Sequence, residues 1–235
     1  MEAIMASDKT LLIIGASRGL GLGLAKEYLK RGWHVIATVR DKNKQTKLHE
    51  IVQSHGKNLE IESIDINHPE DIKALHARLA KRKLDVLFVN AGIANDPGTP
   101  IGEITTDEYI RVNTTNALSP MRVVEALAEL VLPGGVIAVM SSGLASIANN
   151  TSGGWEAYRA SKAALNTLLR SFAARQSDKR TYLAVTPGWV KTDMGGANAT
   201  LDVETSIHGV VDAVTGRTGK HGVYFIDHQN KDVPW

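Results

Sequence analysis

The chain has 235 residues, 43% of them apolar, 22% charged and 5% aromatic, which suits one ample domain with a substantial buried core. Its 27 basic residues face 25 acidic ones, a balance that offers no global field for nucleic acid or a membrane. Cysteine is absent, which excludes disulfides, thiolate nucleophiles, zinc–thiolate sites and cysteine-ligated iron–sulfur clusters. No apolar run approaches the roughly 18–20 residues that a bilayer requires. The start, Met1-Glu2-Ala3-Ile4-Met5, lacks the charged-then-apolar order of a secretory signal. A cytoplasmic protein is expected.

Short apolar runs alternate with helix-length amphipathic stretches, the pattern of a parallel sheet with crossover helices. Thr10 to Ile14 reads as a strand buried on both faces. A glycine-rich turn follows it, then a helix to about Arg31, stopped by Gly32. His34 to Val39 is the second strand, ahead of a charged helix carrying Leu48, Ile51 and Val52. Leu59 to Ile64 is the third strand, and Pro69 opens the next helix, with Ile72, Leu75 and Leu79 at helical spacing. Leu84 to Val89 is the fourth strand. One long helix is predicted over Thr106 to Leu132, and a strand over Val136 to Met140 after the Pro133-Gly134-Gly135 turn. A helix over Trp155 to Gln176, a strand over Thr181 to Val185 and a seventh strand over Val223 to Ile226 complete the series. The stretch 189–202 reads as a loop. The expected architecture is one doubly wound Rossmann-type α/β domain over 1–235, with a mostly parallel sheet of about seven strands.

The turn after the first strand reads Gly15-Ala16-Ser17-Arg18-Gly19-Leu20-Gly21. Glycines there let the backbone turn tightly and approach a pyrophosphate, and the following helix offers free N–H groups. The spacing is G-x-x-x-G-x-G, and a ligand-free β–α turn would look the same. Gly23 reads as a helix-packing glycine. Enzymes of the dinucleotide-binding kind read the adenosine ribose at the end of the second strand, through an acid for a 2′-hydroxyl or a base for a 2′-phosphate. Here Thr38 precedes Arg40, and the two share a face if the strand continues, with Asp41 opposite. This favours NADP(H) over NAD(H), with Arg18 as a second guanidinium; the bland reading of Arg40 is a solvated strand-end arginine.

Tyr158 and Lys162 stand four residues apart on a predicted helix, hence on one face. An ammonium beside a phenol favours the phenolate and brings its pKa towards a useful value. Alone, such a pair on a helix usually means nothing. In order along the chain, however, come Gly15-x-x-x-Gly19-x-Gly21, Asn90-Ala91-Gly92, Ser141-Ser142-Gly143 after a strand, Tyr158-x-x-x-Lys162, and Pro187-Gly188. This series resembles the short-chain dehydrogenase/reductase family over essentially the whole chain. The segments around Tyr158 and Pro187, and the ending Asp232-Val233-Pro234-Trp235, are similar to its C-factor-like and carbonyl-reductase-like branch.

The resemblance implies an oxidoreductase acting on a carbonyl or alcohol. Tyr158 would be the acid–base group and Lys162 would lower its pKa and hold the nicotinamide ribose. Ser142 would stabilise the substrate oxygen, with Ser141 the weaker candidate. Asn113 would hold a water relay behind the lysine, or is simply a helix-kink or capping residue. Gly15, Ser17, Arg18, Gly19, Leu20 and Gly21 would cradle the cofactor. Asp65 and Ile66 would flank its adenine, Asp65 having the alternative of a strand-end turn residue. Asn90, Ala91 and Gly92 would line the adenosine side, and Pro187, Gly188, Val190 and Thr192 would cover the nicotinamide. Two departures stand out: Ile14 replaces the usual threonine, and 16 positions separate Ser142 from Tyr158, with Asn149 to Gly154 as the extra loop. The eight histidines show no ligand spacing, so no metal site is expected. The small residues Gly195 to Ala199 suggest a mobile lid over a small-molecule substrate. Family resemblance also implies a homodimer or homotetramer packed through the long helices. The rival reading is a cofactor-binding signalling protein of the C-factor type with little or no turnover. Nucleic-acid and membrane partners are not expected.

Overall fold

A computed structural model describes residues 9–235; the reading of Met1 to Met5 lies outside them. Seven parallel strands form one sheet: β1 (Thr10–Ile14), β2 (His34–Val39), β3 (Leu59–Ser63), β4 (Leu84–Val89), β5 (Val131–Met140), β6 (Thr181–Thr186) and β7 (Gly222–Asp227). Their order is β3-β2-β1-β4-β5-β6-β7. Successive residues of β1 and β2 feed opposite layers. Leu12, Ile14 and Ile36 enter one core, while Leu11, Ile13, Val35 and Ala37 enter the other. That two-residue period is why these strands are apolar throughout.

On one layer α1 (Gly19–Lys30) packs against α8 (Val203–Gly216), a helix the sequence pattern did not disclose. A methyl group at Gly23 would stand 2.8 Å from Val203 Cγ1, so this glycine sets the close approach of the two helices. On the other layer lie α4 (Pro69–Leu79), α6 (Ser119–Leu127) and α7 (Glu156–Arg175). Two four-residue helices, α2 (Lys47–Glu50) and α3 (Val52–His55), replace the predicted charged helix.

Two expectations change here. The predicted helix over Thr106 to Leu132 is interrupted: α5 (Thr106–Asn113) passes into a π-helical turn, Thr114–Leu118, before α6 begins. Pro120 supplies the reason. It has no N–H for the carbonyl four residues back, that of Asn116, and its ring would press on that carbonyl in an α-helix, so the turn widens. Strand β5 starts five residues earlier than the pattern suggests, running through Pro133-Gly134-Gly135 with a register shift against β4. Proline is tolerated in a strand at such a bulge. Among the described residues no helix is long and apolar enough to cross a membrane, and no group of acids and histidines could hold a metal ion.

Candidate active site

The strand order reverses direction at β1, between β2 on one side and β4 on the other, and the carboxyl ends of β1 and β4 open the crevice where doubly wound sheets take ligands. The backbone leaves β1 through Gly15, whose φ of 91° favours glycine. Gly15 N donates to Thr38 Oγ1 at 2.9 Å, and Asn90 Nδ2 donates to Gly15 O at 2.7 Å. A methyl at Gly21 would run into that same carbonyl oxygen. The turn is therefore pinned from β2 and β4 with no room for side chains on its inner wall. The first turn of α1 carries no acid, and its N-cap, Arg18, makes no side-chain cap, so the helix N–H groups stay available to an anion. These features fit a dinucleotide pyrophosphate. Ser17 and Leu20 are half-buried in the same turn.

Both candidate phosphate readers are on the surface, and both carry carboxylate partners. Arg18 is ion-paired with Asp193, and Arg40 Nε lies 3.9 Å from Asp65 Oδ2. Asp65 follows β3, its Oδ1 accepting from Asn67 N at 3.0 Å, and the adjacent Ile66 is buried. After β4, both Asn90 N and Ala91 N donate to Ile14 O, which closes this loop onto β1.

At the carboxyl end of β5 the two serines part. Ser141 is buried and donates to Asn166 Oδ1 at 2.7 Å, so its hydroxyl is spent on α7. Ser142 turns the other way, its Oγ accepting from Leu144 N at 3.2 Å and lying near enough to Tyr158 to act on its phenol. Tyr158 and Lys162 are both buried on α7. The Lys162 ammonium donates to Met140 O at 2.8 Å and lies 5.9 Å from the Tyr158 ring centre. Loss of water pushes the lysine pKa down to about 8. Burial likewise pushes Tyr158 up to about 12, against the lowering pull of the neighbouring Ser142 hydroxyl. In the protein alone, desolvation thus outweighs the lowering expected from the lysine.

Asn113 does not join this group. It ends α5 half-buried, and its amide donates to Tyr109 O at 3.0 Å. The asparagine brought to the lysine is Asn116, one turn on, which no sequence reasoning singled out. Fully buried, it accepts from Ile93 N and donates to Ile93 O, both at 2.8 Å, and also donates to Ser161 Oγ at 3.0 Å. A methyl at Gly92 would stand 3.2 Å from Lys162 Nζ and 3.3 Å from Asn116 Oδ1, so both groups border one small space. Pro120 was the readable signal for it.

The β6–α8 connection, read from the sequence as a loop, makes several bonds of its own. Val190 bridges Leu201, Trp189 Nε1 donates to Gly195 O at 2.8 Å, and Asp202 caps α8 by accepting from Thr205 N at 2.7 Å. Pro187 and Val190 are buried, and the Thr192 methyl faces Gly19 across the crevice. Gly188 packs against Leu201 and the His228 ring. The Trp155 ring meets Tyr158 edge-on at 5.7 Å, and Arg159 ties the inserted loop down by donating to Gly153 O and Gly154 O.

Known proteins share this fold. A Burkholderia multivorans protein of short-chain dehydrogenase/reductase type, solved with bound NADP, is 49% identical, with a TM-score of 0.95 over 97% of this chain and 100% of its own. A carbonyl reductase from Pseudomonas aeruginosa PAO1 in complex with NADP is 39% identical, with a TM-score of 0.90 over the same shares. The C-signal protein of Myxococcus xanthus is 37% identical over 170 residues, covering 70% of this chain and 100% of that one. The family model for short chain dehydrogenase matches residues 9–201. With the glycine turn at the head of α1 and Tyr158 and Lys162 on one face of α7, this match makes the chain a member of the short-chain dehydrogenase/reductase family.

Proposed function

We propose that the protein is an NADP(H)-dependent oxidoreductase that reduces an aldehyde or ketone to an alcohol, or runs the reverse reaction. The carrying observation is the buried cluster at the carboxyl end of β5, where Tyr158 lies next to Ser142 and the Lys162 ammonium, held by Met140 O, borders the same small space as Asn116. NADPH, when bound, supplies the hydride. Gly15, Ser17, Gly19, Leu20 and Gly21 would hold its pyrophosphate, Arg18 and Arg40 its 2′-phosphate, and Asp65 and Ile66 its adenine. Asn90, Ala91 and Gly92 would line the adenosine side; Pro187, Gly188, Val190 and Thr192 would cover the nicotinamide. The NADP carried by the Burkholderia and Pseudomonas relatives supports this choice of cofactor.

The chain's own residues handle the proton. A phenol held near pKa 12 by burial keeps its proton at neutral pH, which is the form that donates to a developing alkoxide. Ser142 Oγ steadies the substrate oxygen as charge grows on it. Lys162 stands ready to compensate the tyrosinate left behind and to pass a proton back. We assign the relay role to Asn116 in place of Asn113, because Asn116 alone of the two borders the lysine. Exposed Ile110, Leu118 and Leu168 on the adjoining helices support pairing of two copies there.

Replacing Tyr158 with Phe tests the assignment: NADPH binding persists and carbonyl reduction falls by two orders of magnitude or more, about what a general acid contributes. Retained turnover would overturn it. A second reading, a cofactor-binding signalling protein, draws on the likeness to C-signal. It gains if the wild type binds NADPH but turns over none of a broad set of aldehydes and ketones.

A further inference from the structure

We infer that Asp193 sets the discrimination between NADP(H) and NAD(H) by competing with the 2′-phosphate for Arg18. The inference rests on the cofactor reading above. Asp193 lies in the connection between β6 and α8, yet its carboxylate pairs with the guanidinium at the head of α1, 175 positions away. Both side chains are largely exposed, at 70% and 79%, so an incoming ligand reaches them directly. The neighbouring Thr192 methyl faces Gly19, so residues 192 and 193 both approach the glycine turn.

The consequence differs between the two coenzymes. NADPH brings a phosphate of charge about −1.5 to −2, with several acceptor oxygens, and must take the guanidinium from a carboxylate that already holds it. NADH brings a hydroxyl, which makes no such demand and leaves the pair intact. Arg40 faces a weaker rival, because Asp65 stands 3.9 Å from its Nε and already accepts a backbone N–H. Asp193 is therefore the carboxylate whose removal releases a phosphate reader. The pair also ties the β6–α8 loop to the cofactor turn, so only the phosphorylated coenzyme would release that tie on binding.

The experiment is a fluorescence titration of wild type, Asp193→Asn, Arg18→Gln and the double variant with NADPH and NADH, at low and at high salt. Asp193→Asn tightens NADPH binding about two- to fivefold, the range set by an exposed ion pair, and leaves NADH unchanged. The gain shrinks in high salt as the charges are screened, and it vanishes when Arg18 is already Gln. Unchanged or weaker NADPH binding overturns the inference. So does an equal shift for both coenzymes, which would mark an effect on the loop alone, or a gain that survives Arg18→Gln. Wild type that binds neither coenzyme removes the cofactor reading itself, and this inference with it; wild type that prefers NADPH while Asp193→Asn changes nothing removes the inference alone.

Discussion

Lys162 should make the protein more stable in alkali than at neutral pH, and Lys162→Met should erase that gain. On folding, its pKa falls from 10.5 to about 8 because the buried ammonium loses its water. At roughly 1.4 kcal/mol per tenfold change in proton affinity, keeping that proton at pH 7 costs the folded state about 3 kcal/mol. Between the two pKa values the unfolded chain holds a proton that the folded chain has released. Stability therefore rises with pH across that window. Urea unfolding of both proteins should show wild type gaining about 2–3 kcal/mol on the variant between pH 7 and pH 10. Tyr158, whose pKa burial raises, lends the opposite slope above pH 10, but it is present in both proteins and cancels in the difference. At pH 7 the variant also forfeits the Nζ bond to Met140 O, a loss of about 1–3 kcal/mol that offsets much of its advantage. Parallel stability curves from pH 7 to pH 10 would refute the reasoning, since they would mean the ammonium stays hydrated.

Asn116→Ala should lower turnover about 100-fold and destabilise the protein by about 1–3 kcal/mol, because the Ile93 backbone loses its partners, while Asn113→Ala should change both little. Steady-state kinetics and denaturation of the pair of variants check this, and equal losses would return the relay role to question. Leu168→Glu, placing a charge on the exposed face of α7, should shift the protein towards the monomer in sedimentation velocity if two copies pair through these helices. An unchanged sedimentation coefficient would point to a different interface.

Strands announced themselves wherever both faces are buried. Thr10 to Ile14, His34 to Val39 and Leu84 to Val89 are apolar enough that their pattern and their pairing agree residue for residue. Helix α8 stayed hidden because Val203, Val210, Val211 and Val214 are β-branched and Gly209 interrupts them, a composition of low helix propensity. Burial against α1 decides in its favour, and Asp202 at the N-cap was its one legible mark. The start of β5 was hidden by the opposite error. Pro133-Gly134-Gly135 reads as a turn, whereas Val131 already pairs with Leu84 and the register shifts before Val136 pairs with Val86, so the segment continues the sheet as a bulge.

The candidate catalytic cluster was legible in part for a related reason. Tyr158 and Lys162 depend on helical spacing alone, which survives any error at the ends of α7. The asparagine depends on where a helix breaks, and a hydrophobic pattern does not report a widened turn. Pro120 does report it. A proline inside a helix denies its N–H to the carbonyl four residues earlier, and that residue is Asn116. The distortion therefore falls on the residue whose side chain reaches across to Ile93 and lies beside Lys162. Asn113 ends a regular α-helical stretch and bonds back to its own helix at Tyr109, as an asparagine there ordinarily does. A proline in the middle of a predicted helix is thus more than a doubtful boundary. Counting four residues back from it finds the carbonyl that cannot be satisfied in the regular way, and here that residue is the one whose side chain borders the space beside Lys162.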